Sequence, residues 1–511
     1  MQLSGLLDLL RDTIPYRDLL ARLNTSSTSD PAALGVIRSA RPYVLGALAR
    51  DWTNRPVIYI TARVDRAYNT AEQLPVWMGT EARITRFNEP APLFYERSAW
   101  GEAPMRGRIE TLAALMPPDE IHGASVPLVV TSARALMTRT MPVHRFRDSL
   151  MTLHPKMRAS VDKLIERWVK LGYEASSIVI EPGRFSRRGG ILDIFPLAAD
   201  RPIRIEFFGD EIDSLRAFDP SSQRTISMLN EVTIPPAREA LPGESPQAAD
   251  RLTAWFASLT GKDGSDMTSA AADQAPLSTG SAFPFLEFYL PYMYPHPVSL
   301  LDYAPPDALI VVEDGAELRD TITEIEMASA KAREERVASG QLPPDYPVPF
   351  LTWDQIADSL ALRRVVYLGH GTSTEDDDEG LLRAMISPEL RFGGQLKPLL
   401  QHFRSLRGGG DRIIAVTAQA ARLTDIWQEQ ESSFVERTST IHQAPSVRSI
   451  TFVDGTLQEG WRLKTGDGET HLFTDAEVFG WSRPEPRRRK TVKRARTPEQ
   501  SYADLRDGDV V

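Results

Sequence analysis

Hydrophobic positions in the first 150 residues switch between two periods. Between residues 5 and 23, Leu6, Leu7, Leu10, Ile14, Leu19 and Leu20 recur at helical spacing. PVIYITA (56–62) and PLVVT (127–131) are short apolar runs rich in β-branched residues and read as strands, with a helical stretch, RGRIETLAALM, between them. Strands alternating with helices predict a parallel sheet flanked by helices. Residues 157–172 form an amphipathic pattern through Val161, Leu164, Ile165, Trp168 and Leu171. From Ser177 to Asp219 the period becomes two, with tight turns and no helix between the strands. A small antiparallel sheet inserted into the α/β frame is expected there.

Residues 257–282 are small and polar and read as a mobile loop or insertion. Apolar character returns at 284–314, with one more buried strand at 308–312. The acidic run Glu375–Glu379 reads as a solvated loop. Residues 351–480 restart the α/β rhythm: RRVVYLG and RIIAVTA as strands, GGQLKPLLQHFRSL and AQAARLTDIWQEQ as helices, together a separate domain.

A length of 511 residues corresponds to about three to five domains. The chain has no cysteine, which excludes disulfides, cysteine nucleophiles and thiolate metal sites. A net charge of −10 does not favour nucleic acid as a partner of the whole chain. The one dense basic cluster is RPEPRRRKTVKRAR (483–496), with eight basic residues against one acid, read as a linker that contacts DNA weakly. The N-terminal segment alternates apolar and charged residues unlike a signal peptide, and no apolar run approaches the roughly 18 residues a membrane helix needs. A cytoplasmic protein without membrane contact is expected.

The chemistry-bearing motifs are mostly absent. The phosphate loop G-x-x-x-x-G-K-[ST] does not occur; the single Gly-Lys, Gly261-Lys262, precedes Asp263 in the polar stretch. Asp119-Glu120-Ile121-His122 matches a helicase acidic box by letter, but Pro117-Pro118 stand where its strand belongs. Glu313-Asp314 does follow a strand and, without a phosphate loop to serve, reads as a solvated strand end. No two of the eight histidines are spaced as metal ligands. No catalytic residue, cofactor site or metal site is expected.

The informative region is 178–224. In Ile203-Arg204-Ile205-Glu206-Phe207-Phe208, alternation places Ile203, Ile205 and Phe207 on one face and Arg204, Glu206 and Phe208 on the other. Arg184, Arg187 and Arg188 crowd the turn before Gly189-Gly190. An aromatic on the outer face beside an arginine is an anchor for a protein partner. The alternative is a Phe208 tucked beneath a neighbouring element, with merely solvated arginines.

Residues 178–225, IVIEPGRFSRRGGILDIFPLAADRPIRIEFFGDEIDSLRAFDPSSQRT, closely resemble the segment shared by the excinuclease subunit UvrB and the bacterial transcription-repair coupling factors. In that family the segment binds UvrA. LGVIRSARPYVLGALARDW followed by PVIYITA is similar to the family's nucleotide-binding module but without its Gly-Lys-Ser/Thr, as in the degenerate N-terminal module of the coupling factors. RFGGQLKPLLQHFRSL and THLFTDAEVFG resemble those proteins' third domain, and SYADLRDGDVV the opening of their polymerase-binding domain.

The fold this implies is α/β: a degenerate UvrB-like nucleotide-fold module with an inserted small antiparallel α+β UvrA-binding domain, plus a separate α/β domain. The expected divisions are a UvrB-like part at 1–150, the UvrA-binding domain at 151–236, a second UvrB-like part at 237–350, the third domain at 351–482, a basic linker at 483–500, and the start of a truncated polymerase-interacting domain at 501–511. The resemblance implies that Arg188, Arg204 and Phe208 contact UvrA, with Arg187 and Glu206 at the rim. It implies recruitment of UvrA to RNA polymerase stalled at a lesion, polymerase binding through the truncated domain, and ATP and magnesium only in motor domains beyond residue 511. The competing reading is a divergent UvrB-type helicase subunit.

Overall fold

The computed structural model describes residues 1–25, 31–117, 126–259, 268–369, 385–431 and 435–481. Three six-stranded sheets organise them. The first is wholly parallel and runs from edge to edge through Ala32–Leu34, Arg364–Leu368, Leu309–Glu313, Val57–Thr61, Leu128–Ser132 and Ile84–Phe87. VIYIT, LVVTS and LIVVE are buried along their whole length, as the near-continuous apolar runs require. Alternation splits them between two cores. Ile58, Ile60, Val129, Ile310 and Val312 enter one; Val57, Tyr59, Leu128, Val130, Leu309 and Val311 enter the other.

The strand in RRVVYLG corrects the expected division at 350/351. Arg364–Leu368 pairs in register with both Leu309–Glu313 and Ala32–Leu34, inside the first sheet. The separate α/β unit holds the third sheet, ordered Ile386–Ser387, Trp461–Thr465, Gly468–Thr474, Arg412–Thr417, Ile450–Asp454 and Glu436–Thr438.

The second sheet is the insertion, and the pairing of Met151–Leu153 with Val232–Ile234 closes its neck. Its strands lie in the order Thr225–Leu229, Glu211–Phe218, Ile203–Phe208, Ile191–Ile194, Arg184–Arg188 and Glu174–Ala175, antiparallel except at the last pair. The inner face, with Phe185, Leu192, Ile194, Ile203, Ile205, Ile212 and Leu215, is buried beneath the helix Val161–Lys170 and joins the first of the two cores. That helix starts at a Ser160 cap, carries Asp162 in its first turn and Arg167 and Lys170 in its last, and so complements its own dipole. Trp168 meets Phe185 edge-on, with centroids 5.7 Å apart.

Immediately after the neck, Arg238 and Glu239 each enter a buried ion pair. Arg238 donates from Nε to Glu287 Oε1 at 2.8 Å. Glu239 receives Arg108 of the helix Glu102–Leu115, whose guanidinium has no exposure and lies 4.0 Å from the Phe87 ring centre; Thr140 also donates to this carboxylate.

The polar stretch 257–282 is also corrected where it is described. The helix Ser245–Leu259 runs into it and Gln274–Thr279 follows. Leu277 is buried, and Asp273 accepts from Arg97 and from the Tyr289 hydroxyl. One leucine and one aspartate are enough to dock a segment whose composition reads as solvent-exposed. The Asp119–His122 box, the acidic run Glu375–Glu379 and everything from 482 onward, including the basic cluster and the last strand-like segment, lie outside the described residues.

The N-terminal segment ties the first and third sheets together. Gln2 exchanges backbone hydrogen bonds with Ser439 (3.0 Å) and Ile441 (2.7 Å), and Leu3 N–H donates to Val76 (2.6 Å). Tyr43, Trp77 and Trp461 pack as a cluster in the second core, with Tyr43 and Trp461 centroids 4.5 Å apart. Gly5 has no room for a Cβ, which would strike the backbone of His442 and Gln443. Among the described residues no helix is long and apolar enough to cross a membrane.

Two outcomes are expected. Glu239→Ala leaves Arg108 buried without its carboxylate and should lower stability by roughly 3–5 kcal/mol in urea unfolding, whereas Arg108→Met with Glu239→Leu together should lose much less. Gly5→Val should detach the third sheet, seen as new cleavage between the units under brief proteolysis with the insertion still protected.

Candidate partner-binding face

The outer face of the inserted sheet brings most of the expected site residues together. Cross-strand register places Asp193 opposite Arg204, Ile191 opposite both Arg188 and Glu206, Arg216 opposite Arg204, and Glu211 opposite Phe208. Arg204, Glu206 and Phe208 therefore share this face with Arg188, as alternation requires. Phe208 is 85% exposed beside the Gly209 turn, so it is not tucked beneath another element.

The polar centre is internally paired. Asp193 is buried and accepts two hydrogen bonds from Arg204, Nε at 2.8 Å and Nη2 at 2.9 Å. Arg188, half-exposed, reaches the same carboxylate at 3.5 Å. Arg204 also lies over the Phe218 ring at 4.6 Å, and its pKa is raised further, chiefly by the Asp193 hydrogen bonds. Glu206 accepts from Arg216 Nη2 at 2.6 Å and from the Ser214 hydroxyl at 2.9 Å. Three arginines on two carboxylates leave the centre net positive.

Arg187 is not part of this constellation. It pairs in register with Leu192, on the inner parity, and its guanidinium holds Asp162 of the covering helix at 2.6 Å. It is a clasp between sheet and helix. Asp193 and Arg216 were missed in the sequence. For Asp193 the signal was present: an acid between Leu192 and Ile194 in a short apolar strand demands a cation on the adjacent strand.

A second expectation is corrected at the carboxyl end of the parallel sheet. Glu313 is not a solvated strand end; it is buried and paired with Arg41 Nη1 at 2.5 Å. Arg41 begins the helix Arg41–Asp51 and turns back to donate to the Val36 carbonyl at 3.4 Å. Gly369, at φ +102°, accommodates the guanidinium against its Cα; a Cβ there would collide with it. The pair seals the inner wall of a cleft lined also by Arg38, Tyr59, Arg63 and Arg66. A buried carboxylate needs a cation, and Arg41 supplies it.

Residues 151–239 match the family model described as the UvrB interaction domain, so the inserted sheet with its outer arginine–carboxylate face is a domain of that class. Beyond the domain, the chain is homologous to transcription-repair-coupling factors, matching their N-terminal portion. It is 27% identical to that of Bacillus subtilis (strain 168) over 496 residues, and 27% identical to that of Myxococcus xanthus over 517 aligned positions; each alignment takes in 93% of this chain. It is 25% identical to that of Staphylococcus aureus (strain MRSA252) over 415 residues, 80% of this chain. The chain spans 35–41% of the length of these curated relatives.

Proposed function

We propose that this chain is the UvrA-recruiting part of a transcription-repair coupling factor, delivering the excision-repair machinery to RNA polymerase stalled at a lesion. The observation that carries the reading is an 85% exposed Phe208 standing beside a rigid, net-positive arginine cluster on a UvrB interaction domain. A large aromatic held out in water by a well-ordered strand stabilises nothing in the chain itself, and a buried interface is where such residues contribute most. In this reading Arg188, Arg204 and Phe208 contact UvrA, Glu206 orients Arg216 at the rim, and Arg187 acts indirectly by holding the sheet on its helix. Polymerase engagement and ATP-driven translocation on DNA reside in the remainder of a whole coupling factor. Weak DNA contact is assigned to the basic stretch 483–496.

The contact is tested with paired melts and binding assays on purified UvrA. Phe208→Ala should weaken binding by about 2 kcal/mol or more, roughly thirtyfold, with an unchanged melting temperature, because no packed atoms are removed. Arg204→Ala should weaken binding too, but with a loss of domain stability on the order of 1–3 kcal/mol, since it deprives the buried Asp193 of its bidentate partner. Full-affinity binding by a normally melting Phe208→Ala would place the contact elsewhere.

The competing reading, a UvrB-type helicase subunit, needs nucleotide turnover by this chain. The Arg41–Glu313 pair speaks against it, since the carboxylate that follows the strand is already bonded to an arginine of the same chain. Magnesium-dependent ATP hydrolysis should stay at background, and millimolar ATP should leave the melting curve unmoved. Turnover that disappears on Arg41→Met would reverse this assignment.

A further inference from the structure

The outer face of the inserted sheet carries a second apolar patch at the end opposite Phe208. Phe208 and Glu211 face each other across the turn at one end of the strand Glu211–Phe218. At the other end, Phe218 pairs with Thr225, and the next residue, Ile226, is 49% exposed. Met228, opposite Arg216 and so on this face, is 63% exposed. The segment before Gly183 crosses the same end: Val179 is buried against Phe195 and Phe218, and its carbonyl accepts from Gln223 Nε2 at 3.2 Å. That leaves Ile178 and Ile180, on either side of Val179, exposed at the end of the sheet where Phe218 lies. Thr225–Leu229 is an edge strand without lysine or proline, its register with Glu211–Phe218 broken by a bulge at Ile226.

At about 3.3 Å per residue, the eight residues from Glu211 to Phe218 separate the two apolar ends by roughly 20 Å. This fits within one interface of ordinary size, about 800 Å² per partner. Arg188 lies between the ends and Arg204 and Arg216 lie level with Met228, together one positive charge in excess of Asp193 and Glu206.

We propose that the UvrA contact is two-anchored: Phe208 fills one apolar pocket on UvrA, and Ile180, Ile226 and Met228 form a second anchor about 20 Å away, with a UvrA carboxylate seated on Arg188 between them. The proposal rests on the reading of this face as the UvrA site. It commits to UvrA because the patch is continuous with that face and because the excess positive charge between the anchors selects an acidic partner. The second anchor sets how the partner is oriented on the sheet, since a single aromatic in a pocket leaves rotation about itself open.

The test uses the full chain and purified UvrA, with Phe208→Ala, Ile226→Asp and the double variant Ile180→Asp/Ile226→Asp measured side by side. The substituted isoleucines are exposed, so melting temperatures should match the parent. Ile226→Asp is expected to weaken UvrA binding at least tenfold, the double variant further, and adding Phe208→Ala should abolish detectable binding. If Phe208→Ala weakens binding while the double aspartate variant binds at parental affinity, the second anchor is overturned and the UvrA reading stands. If Phe208→Ala itself has no effect, that reading falls and the anchor with it. Sedimentation of the parent chain closes the remaining route: a dimer that Ile226→Asp dissolves without weakening UvrA binding would make the patch a self-contact and overturn the proposal.

Discussion

The parallel sheet has two apolar faces, and among the described residues both the inserted domain and the third sheet contribute to covering them. Successive residues of Val57–Thr61, Leu128–Ser132 and Leu309–Glu313 enter opposite cores. A strand buried on both sides cannot stand at a surface, so each face needs its own cover. One face shares its core with the inserted domain through Leu192, Ile203 and Ile205; the other is closed by the N-terminal segment and by Trp461, Leu463 and Leu472 of the third sheet. Neither accessory unit is a bead on a string. Each completes a core that the central sheet opens, which fixes the orientation of the inserted sheet and keeps its outer face toward solvent.

Apolar packing alone does not hold the insertion in register, because a two-stranded neck is weak by itself. The adjacent residues Arg238 and Glu239 add that specification. They carry opposite charges and are buried in pairs with Glu287 and Arg108, which belong to different elements of the main body. Shifting the chain by one residue would set one charge against its like and strip the other of its partner, and leaving a buried charge uncompensated costs about 3–5 kcal/mol. The two pairs act as a polarity key for the return of the chain.

What was legible in the sequence follows from the range of the interactions involved. The face of Phe208 could be read because alternation is local: five neighbouring residues decide it. The helices at 161–170, 396–409 and 420–430 were legible for the same reason. The strand Arg364–Leu368 was recognised as a strand but given to the wrong sheet, since its partners Leu309–Glu313 and Ala32–Leu34 lie some 55 and more than 330 residues away in sequence. Glu313 was misread as solvated because its partner Arg41 is 272 residues distant and sits in no motif. Arg187 was placed at the rim because three arginines in a short stretch look alike until register assigns Arg187 to one face and Arg188 to the other. Only Asp193 was overlooked despite a local signal, a charge inside an apolar strand.

The same rules explain why the outer face can stay open. An exposed sheet face with apolar residues invites unwanted association unless its centre is made unattractive to apolar surfaces. Here the middle of the face is a network of arginine–carboxylate bonds around Asp193 and Glu206, with the exposed Phe208 at one end and Ile226 and Met228 toward the other. A generic hydrophobic partner would have to strip water from Arg188 and Arg216 without returning hydrogen bonds, a loss that grows with every contact it makes across the centre. A partner that brings a carboxylate to the half-exposed Arg188 recovers that loss and reaches both apolar ends. In the proposed contact, selectivity comes from the polar centre and affinity from the apolar residues on either side of it.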